Sequence, residues 1–260
     1  MHINSKREVS NCKGMKARKL LYGMLLLLFS LVTNIRVDAQ LIRISPDLEL
    51  VKLTDNAYMH VSYADLPGYG RSSANGLVFI NGQEAFLFDT PWNDSLTKEL
   101  VIYIQDKMGI RIRGFVPNHW HEDCMGGLNY LTNIGIPSWA NEKTNEIAKQ
   151  RKLTVPEQGF KDSIVLHLDN KIISCYYPGA AHSLDNIVVW IPSEKILFAG
   201  CMVKSISSNS LGNTVDGDLV SYPGTIEKLV KRYRDAQIVI PGHGETGGYE
   251  LITHTLDLTR

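Results

Sequence analysis

Several features are scarce or absent in this sequence of 260 residues, and each absence limits what the protein can be. Beyond residue 39 there is no run of basic residues, which argues against a nucleic acid as partner. The chain has no low-complexity linker and no short-period repeat, and its length suits one large domain or two small ones. Apolar residues are not depleted, so a sizeable core is available and the composition argues against global disorder.

The first 39 residues have the pattern of a secretory signal peptide. Basic residues within 15–19 precede an apolar stretch at 20–32 that is too short and too one-sided for a convincing membrane span. Compact residues at 37–39 predict cleavage before Gln40, which leaves residues 40–260 as a single exported domain. The alternative is an uncleaved membrane anchor.

The leader also bears on the start of the chain and on lipid attachment. Met15 is a better start than Met1, which would place residues 1–14 upstream of the true start. No cysteine closely follows the apolar stretch, so a lipid anchor is not indicated. The formal net charge is zero, but residues 1–39 hold seven basic and two acidic side chains, so the predicted mature chain is mildly acidic.

Cysteine is rare, and its number is informative. Cleavage of the leader removes Cys12 and leaves Cys124, Cys175 and Cys201. An odd number of cysteines in an exported protein indicates that at least one thiol has another role, such as metal binding. The alternative is one disulfide and one buried free cysteine, and Cys175 is interpreted as a core residue.

Short apolar runs separated by turn residues predict two β-rich halves with helices beside them. This arrangement is typical of two sheets packed face to face with helices outside. Asp94 is predicted to cap the first helix. The predicted strands cover 41–61, 76–80, 85–88, 110–116, 163–168, 171–177, 187–191, 196–198 and 236–240, and the predicted helices cover 94–107, 126–134, 141–149, 225–233 and 249–258.

The segment 118–124 contains two histidines and an aspartate at alternate positions, directly after an apolar run. In an extended chain His119 and His121 point to the same side, where two neutral imidazoles can bind one metal ion. Asp123 lies one step further and could face a second ion. Nitrogen and oxygen donors of this kind suit zinc. The alternative is a polar loop with unrelated histidines.

Three further donors lie at strand ends, where functional loops gather: His182, Cys201 and His243. Together the six residues form two sets of three, which are His119, His121 and His182 for one zinc ion, and Asp123, Cys201 and His243 for the other. Three protein ligands per ion leave a position open for water, which is typical of a catalytic site.

Each of these three donors also has a simpler interpretation. His182 could cap the following segment, His243 could be a turn residue, and Cys201 could be a small buried apolar residue. Cys124 is expected to face away from the metal site. Alternatively, it pairs with Cys201 and so destroys the site. The remaining histidines lack a strand-end context and are interpreted as structural or exposed: His60, His167 and His254.

Four motifs resemble those of the metallo-β-lactamases, and in particular subclass B1, in which a cysteine binds the second zinc ion. They are His119-x-His121-x-Asp123, Ala181-His182-Ser183-x-Asp185-Asn186, Gly200-Cys201-x-x-Lys204 and Pro241-Gly242-His243-Gly244. The segments 87–91 and 210–213 fit the same family, so the resemblance covers the chain from about residue 41 onward. Related hydrolases usually have a histidine at the position of Cys124 and a bridging aspartate at that of Cys201. The family's final helix normally runs further than Arg260, which bears on stability more than on chemistry.

The resemblance implies an αββα sandwich of two mixed β-sheets and a pair of zinc ions. A hydroxide held by the ions would attack the lactam carbonyl without an acyl-enzyme. The His119 set would polarise the carbonyl oxygen, and the Asp123 set would meet the departing nitrogen. Asn213 would help to hold the oxyanion. Asp123 and Asn213 are therefore the predicted catalytic residues.

The resemblance also assigns residues around the substrate. Lys204 would bind the substrate carboxylate as a point charge. Tyr69 would contact the substrate from the loop 66–71 as that loop folds over it. Asp89 would orient the ligands from behind. Without the resemblance, these residues would be a surface lysine, part of a flexible hairpin and a turn aspartate.

The predicted function is zinc-dependent hydrolysis of penicillins, cephalosporins and carbapenems, which confers resistance to these antibiotics. We expect a periplasmic monomer with no nucleic-acid partner and no stable membrane anchor. Another dizinc hydrolase, acting on a thioester or a lactone, is the first alternative, and Cys201 and Lys204 argue against it. A zinc-binding protein without turnover is the second alternative, and the open three-ligand sites argue against it.

Overall fold

The computed structural model describes residues 40–260. The predicted signal peptide lies outside these residues, so that expectation stays a prediction. Between residues 40 and 260, no helix is long and apolar enough to cross a membrane. In this range, runs of consecutive strands are separated by helices.

The first half of the described chain forms a six-stranded sheet whose strands follow one another in chain order. All neighbouring pairs are antiparallel except β5 and β6, which are parallel because a helical connection joins them. The long pair β3 and β4 extends well beyond the predicted strands and ends in a tip at residues 67–69. The strands are β1 Leu41–Ser45, β2 Leu48–Lys52, β3 Ala57–Leu66, β4 Gly70–Asn81, β5 Glu84–Phe88 and β6 Arg111–Val116.

The second half forms a five-stranded sheet and a separate short pair of strands. The order in the larger sheet is β13-β12-β11-β10-β9, with β12 and β13 parallel and the other pairs antiparallel. The short pair was not predicted, because strands of three residues have too little sequence to show a period. The strands are β7 Trp139–Asn141, β8 Gln158–Phe160, β9 Ser163–Leu168, β10 Lys171–Tyr176, β11 Val188–Ile191, β12 Ile196–Gly200 and β13 Ile238–Pro241.

The helices differ from the sequence prediction in two places. The first one is α-helical only to Ile102 and continues as a π-helical turn, Tyr103–Lys107. Its cap is Asn93, whose side chain accepts from the Leu96 N–H, whereas the Asp94 carboxylate accepts from the Tyr130 N–H; the predicted Asp94 cap is therefore wrong. The predicted helix at 126–134 is found over Leu128–Asn133, and a separate short helix that was not predicted, Glu122–Met125, precedes it. The helices are α1 Asp94–Ile102, α2 Glu122–Met125, α3 Leu128–Asn133, α4 Glu142–Arg151, α5 Tyr222–Arg232 and α6 Glu250–Leu258.

Alternating side chains divide the core into three layers. Along β12, Phe198 joins the apolar cluster between the two sheets, whereas Leu197 joins the cluster beneath α5 and α6. Along β5, Phe88 faces the other sheet and Leu87 faces α1 and α3. Both sheets are mixed and each is covered by helices on its outer face. The predicted αββα sandwich is therefore confirmed.

Candidate metal centre

Three histidine rings converge beyond the end of β6. His119 and His121 follow β6 in an irregular segment before α2, and His182 precedes β11. His119 Nε2 lies 2.8 Å from His121 Nδ1, and His182 Nε2 lies 3.3 Å from the same atom. Three ring nitrogens therefore surround one point, at distances that suit ligands of a single ion.

A second set of three donors lies beside the first. Asp123 Oδ2 is 3.2 Å from Cys201 Sγ and 3.1 Å from His243 Nε2. Cys201 Sγ and His243 Nε2 are 3.3 Å apart. The two sets meet where His119 Nε2 lies 4.0 Å from Asp123 Oδ1. All six donors singled out from the sequence therefore gather at one end of the sandwich.

Glycines allow the strand ends to approach this closely. Cys201 follows Gly200 at the end of β12, where the backbone has φ +56°, and a Cβ at Gly200 would lie 2.3 Å from Asn118 Cγ. His243 follows Gly242, where a Cβ would lie 2.3 Å from Cys201 Sγ. Side chains at either glycine would therefore push the two halves of the site apart.

Most of the rings are held through the nitrogen that faces away from the centre. His121 Nε2 lies 3.1 Å from Asp216 Oδ2, and His243 Nδ1 lies 2.5 Å from the Ser73 carbonyl oxygen. Such contacts fix ring orientation and tautomer. For His182 the equivalent atom, Nδ1, is buried without a hydrogen-bond partner.

Cys124 contacts the site, contrary to the expectation that it faces elsewhere. Its Sγ lies 3.2 Å from His119 Nδ1, the nitrogen that points away from the other donors. The prediction failed because α2 begins at Glu122, so the alternation of an extended chain no longer applies at Cys124. The three cysteines of the described chain are all free, so a disulfide between Cys124 and Cys201 is also excluded.

Asp89 lies behind the centre and touches none of the six donors through its side chain. Its Oδ1 accepts from the Asn118 N–H at 2.5 Å, and its carbonyl oxygen lies 3.0 Å from His60 Nε2. Its φ of +57° is unusual for a residue other than glycine. Burial raises the pKa of the Asp89 carboxyl well above its usual range. Asp89 therefore orients the segment that carries His119 through the backbone of Asn118.

The protonation of the donors suits a metal cation. Burial lowers the pKa of His119 to about 3 and that of His182 well below its usual value, so both rings are neutral at pH 7. Burial opposes ionisation of Asp123, but the hydrogen bond from His243 and the nearby imidazoles outweigh it and lower the pKa.

The second set is more strongly charged than the first. A hydrogen bond from the Cys124 thiol lowers the pKa of Cys201 despite its burial. Burial disfavours a charged His243, but Cys201 and Asp123 outweigh burial and raise its pKa. The Asp123 carboxylate and the Cys201 thiolate therefore stabilise positive charge at the position that they share with the His243 ring. These donors therefore fit metal ions, and zinc in particular accepts this mixture of nitrogen, oxygen and sulfur.

A cleft of about 670 Å³ opens onto both sets of donors. Tyr69, at the tip between β3 and β4, lines this cleft and is 75% exposed. Asn213, in the loop between β12 and α5, also lines the cleft, and its Oδ1 accepts from the Val215 N–H at 3.1 Å. Two tryptophans, Trp92 and Trp120, also line the cleft.

Lys204 lies in an adjoining pocket of about 250 Å³ rather than in the main cleft. Its Nζ donates to the Cys201 carbonyl oxygen at 2.8 Å, and burial lowers its pKa. The two spaces share Gly212 and His243 in their walls. Lys204 is thus adjacent to the cleft but turned toward the backbone of Cys201.

Asp216, which contacts His121, was not predicted from the sequence. It lies in the polar loop between β12 and α5, where nothing in the sequence distinguishes it from the nearby Asp218. Trp120 was also missed, although its place between His119 and His121 is a signal. Its ring packs edge-on against the His121 ring at 4.4 Å between centroids.

The fold and the site together define a metal-binding protein of the αββα class. Residues 69–243 match the family model of the metallo-beta-lactamase superfamily. The chain therefore belongs to the metallo-β-lactamase superfamily, and the predicted family is confirmed.

Characterised relatives and solved structures agree with this assignment. The chain is 44% identical over 230 residues to the metallo-β-lactamase type 2 of Bacteroides fragilis, covering 88% of this chain and 92% of the relative. It is 35% identical over 210 residues to that of Pseudomonas aeruginosa, covering 81% and 83%. A crystal structure of VMB-1 superimposes with a TM-score of 0.79 at 41% identity, covering 83% of this chain and 97% of that one. A structure of the metallo-β-lactamase DIM-1 gives a TM-score of 0.79 at 39% identity, covering 82% and 97%.

Proposed function

We propose that the protein hydrolyses the β-lactam amide bond of penicillins, cephalosporins and carbapenems with zinc as cofactor. The observation that carries this proposal is the convergence of six donors into two adjoining sets, each of which contributes two side chains to the wall of one open cleft. The names of the relatives supply the substrate class. Hydrolysis forms a bond between the water oxygen and the carbonyl carbon, breaks the C–N bond and places a proton on the nitrogen.

In this proposal each set holds one zinc ion, as in subclass B1. His119, His121 and His182 would bind the first ion, and Asp123, Cys201 and His243 would bind the second, where the carboxylate and the thiolate supply negative charge. Zinc bound there would polarise a carbonyl group and make water acidic enough to attack at neutral pH. Cys201 is the residue that assigns the subclass, because a thiolate gives the second ion a softer ligand set than a bridging aspartate.

The protein side chains bind and orient the substrate. The Asn213 amide would donate to the carbonyl oxygen as it gains charge, and this requires its side chain to leave the Val215 N–H. The Asp123 carboxylate, between the two sets, would orient the attacking water as well as bind metal. Lys204 would bind the substrate carboxylate after releasing the Cys201 carbonyl oxygen. Tyr69 would cover the substrate from the hairpin tip.

The proposed cellular location is the periplasm, because the relatives are bacterial and the leader has the pattern of an export signal. We propose a monomer there. Cell fractionation with intact-mass measurement should find a mature chain that begins at Gln40. A chain that keeps residues 15–39 in the membrane fraction would instead support an uncleaved anchor.

The test of function is carbapenem hydrolysis followed by ultraviolet absorbance, with and without a chelator. We expect turnover that the chelator abolishes and added zinc restores. His182→Gln should remove most activity, whereas the control His167→Gln, on the exposed face of β9, should not change it. Tightly bound zinc without hydrolysis of any β-lactam would favour a zinc-binding protein. Hydrolysis of thioesters or lactones, but not of a chromogenic cephalosporin, would favour another dizinc hydrolase.

A further inference from the structure

Arg151, the last residue of α4, touches two groups that hold His121. Its Nη2 lies 3.1 Å from Asp216 Oδ1, and the other oxygen of that carboxylate is 3.1 Å from His121 Nε2. Its guanidinium carbon lies 3.8 Å from the centre of the Trp120 ring, which packs against His121. One side chain thus braces both neighbours of a single imidazole.

The geometry requires the shape of an arginine. The planar guanidinium stacks on the Trp120 ring while its edge donates to Asp216, and a lysine ammonium cannot make both contacts in this way. The Arg151 side chain is half exposed, so without these two contacts it would move freely in solvent. Asp216 belongs to the loop that carries Asn213, so Arg151 also ties this loop to α4.

We propose that Arg151 is a positioning residue for the histidine metal set. It acts through Asp216 and Trp120, and it holds the His121 ring with Nδ1 directed toward His119 and His182. The inference rests on the proposed metal site, but not on the identity of the substrate. It predicts that loss of Arg151 weakens metal binding by the three histidines and leaves the Asp123, Cys201 and His243 set unchanged.

The sign of the effect separates positioning from simple electrostatics. Arg151 is a cation near a site for cations, so removing its charge would by itself strengthen metal binding. A positioning role predicts the opposite, because an unbraced Asp216 lets the His121 ring turn. Loss of contacts that orient a metal ligand typically weakens metal binding by about 10-fold to 100-fold. Because Arg151 acts one step further away, we expect about tenfold.

The experiment compares the full mature protein with Arg151→Met and Arg151→Lys. Competition with a chelator measures the affinity for zinc, and cobalt substitution reports each set separately by absorption. The thiolate-to-cobalt band follows the set that contains Cys201, and the remaining visible bands follow the histidine set. A matched control is Arg232→Met, because Arg232, at the end of α5, stacks on Tyr176 at 4.4 Å in a similar way but touches neither Asp216 nor Trp120. Urea unfolding of the zinc-free proteins shows whether each variant is folded.

Support for the proposal is about tenfold weaker metal binding at the histidine set in Arg151→Met, with an unchanged thiolate band and no effect of Arg232→Met. Arg151→Lys should also weaken metal binding at the histidine set, because a lysine cannot keep both the stack on Trp120 and the hydrogen bond to Asp216. In an Asp216→Asn background, Arg151→Met should add little, since both act on one ring. Unchanged or tighter metal binding in folded Arg151→Met would overturn the proposed role of Arg151 but not the proposed function. A wild-type protein that binds no zinc would overturn the proposed function as well.

Discussion

The most direct prediction concerns Cys201→Ala. Cys201 is nearly fully buried, and its sulfur contacts Asp123 and His243 at 3.2 and 3.3 Å. The substitution leaves two donors where there were three. Zinc affinity of this set should fall by at least about 100-fold, since removing even a supporting contact can cost that much. The zinc-free fold should lose only about 1 kcal/mol, because the deleted atom is comparable in size to one methylene group.

The assay pairs zinc stoichiometry, measured by chelator competition, with carbapenem hydrolysis at a fixed low zinc concentration. Cys175→Ala is the matched control, because Cys175 is an equally buried thiol that packs between the two sheets. It should lose a similar amount of stability and keep both zinc ions and full turnover. Wild-type zinc binding and turnover in folded Cys201→Ala would refute the assignment of Cys201 as a ligand.

Three further predictions test the surroundings of the site. Burial lowers the pKa of His60 to about 4, whereas His60 in the unfolded chain is protonated near pH 6.5. The free energy of unfolding should therefore fall by up to about 3 kcal/mol as the pH is lowered from 6.5 to 4, with no contribution from His60 above pH 6.5. Urea unfolding of the zinc-free protein at pH 5 and pH 7 should show a smaller acid loss for His60→Gln, and an identical loss would contradict the reasoning. Gly200→Ala should destabilise the fold by about 3 kcal/mol, because the new Cβ would be strained by the left-handed backbone and would clash with Asn118. A melting temperature equal to that of the wild type would contradict this and show that the end of β12 can move. Asp89→Ala should weaken zinc binding about 10-fold to 100-fold. Asp89→Asn should keep most of the zinc affinity, because asparagine also offers an acceptor to the Asn118 N–H and tolerates a positive φ. An equal loss of affinity in both variants would mean that the charge of Asp89 matters rather than its hydrogen bond.

Local patterns explain why much of the fold could be predicted. Apolar alternation identified most strands of both sheets, since one-sided burial leaves a clear period in the sequence. It could not give the length of β3 and β4 toward their tip, because exposed strands carry no apolar period. It also did not predict α2, a four-residue helix that ends before Gly126. At Gly126 a Cβ would lie 2.1 Å from the Trp92 carbonyl oxygen, a contact made by a residue far along the chain.

The candidate site divides in the same way. Histidine, cysteine and aspartate at strand ends could be chosen from the sequence, because their type and local context indicate metal chemistry. The supporting contacts could not, because Asp216 and Arg151 are ordinary polar residues until the chain folds. They are 65 positions apart, and only the packing of α4 beside the loop before α5 brings them together.

The sequence by itself determined which side chains are chemically able to bind metal and which backbone periods build the two sheets. Only the tertiary structure decided that these donors meet. Asp123 and Cys201 are 78 residues apart, and the two sheets on which they depend are joined by interdigitated side chains between the layers. The physical reason is that residue type and period are local properties, whereas the distance between two strand ends is set by how whole sheets pack.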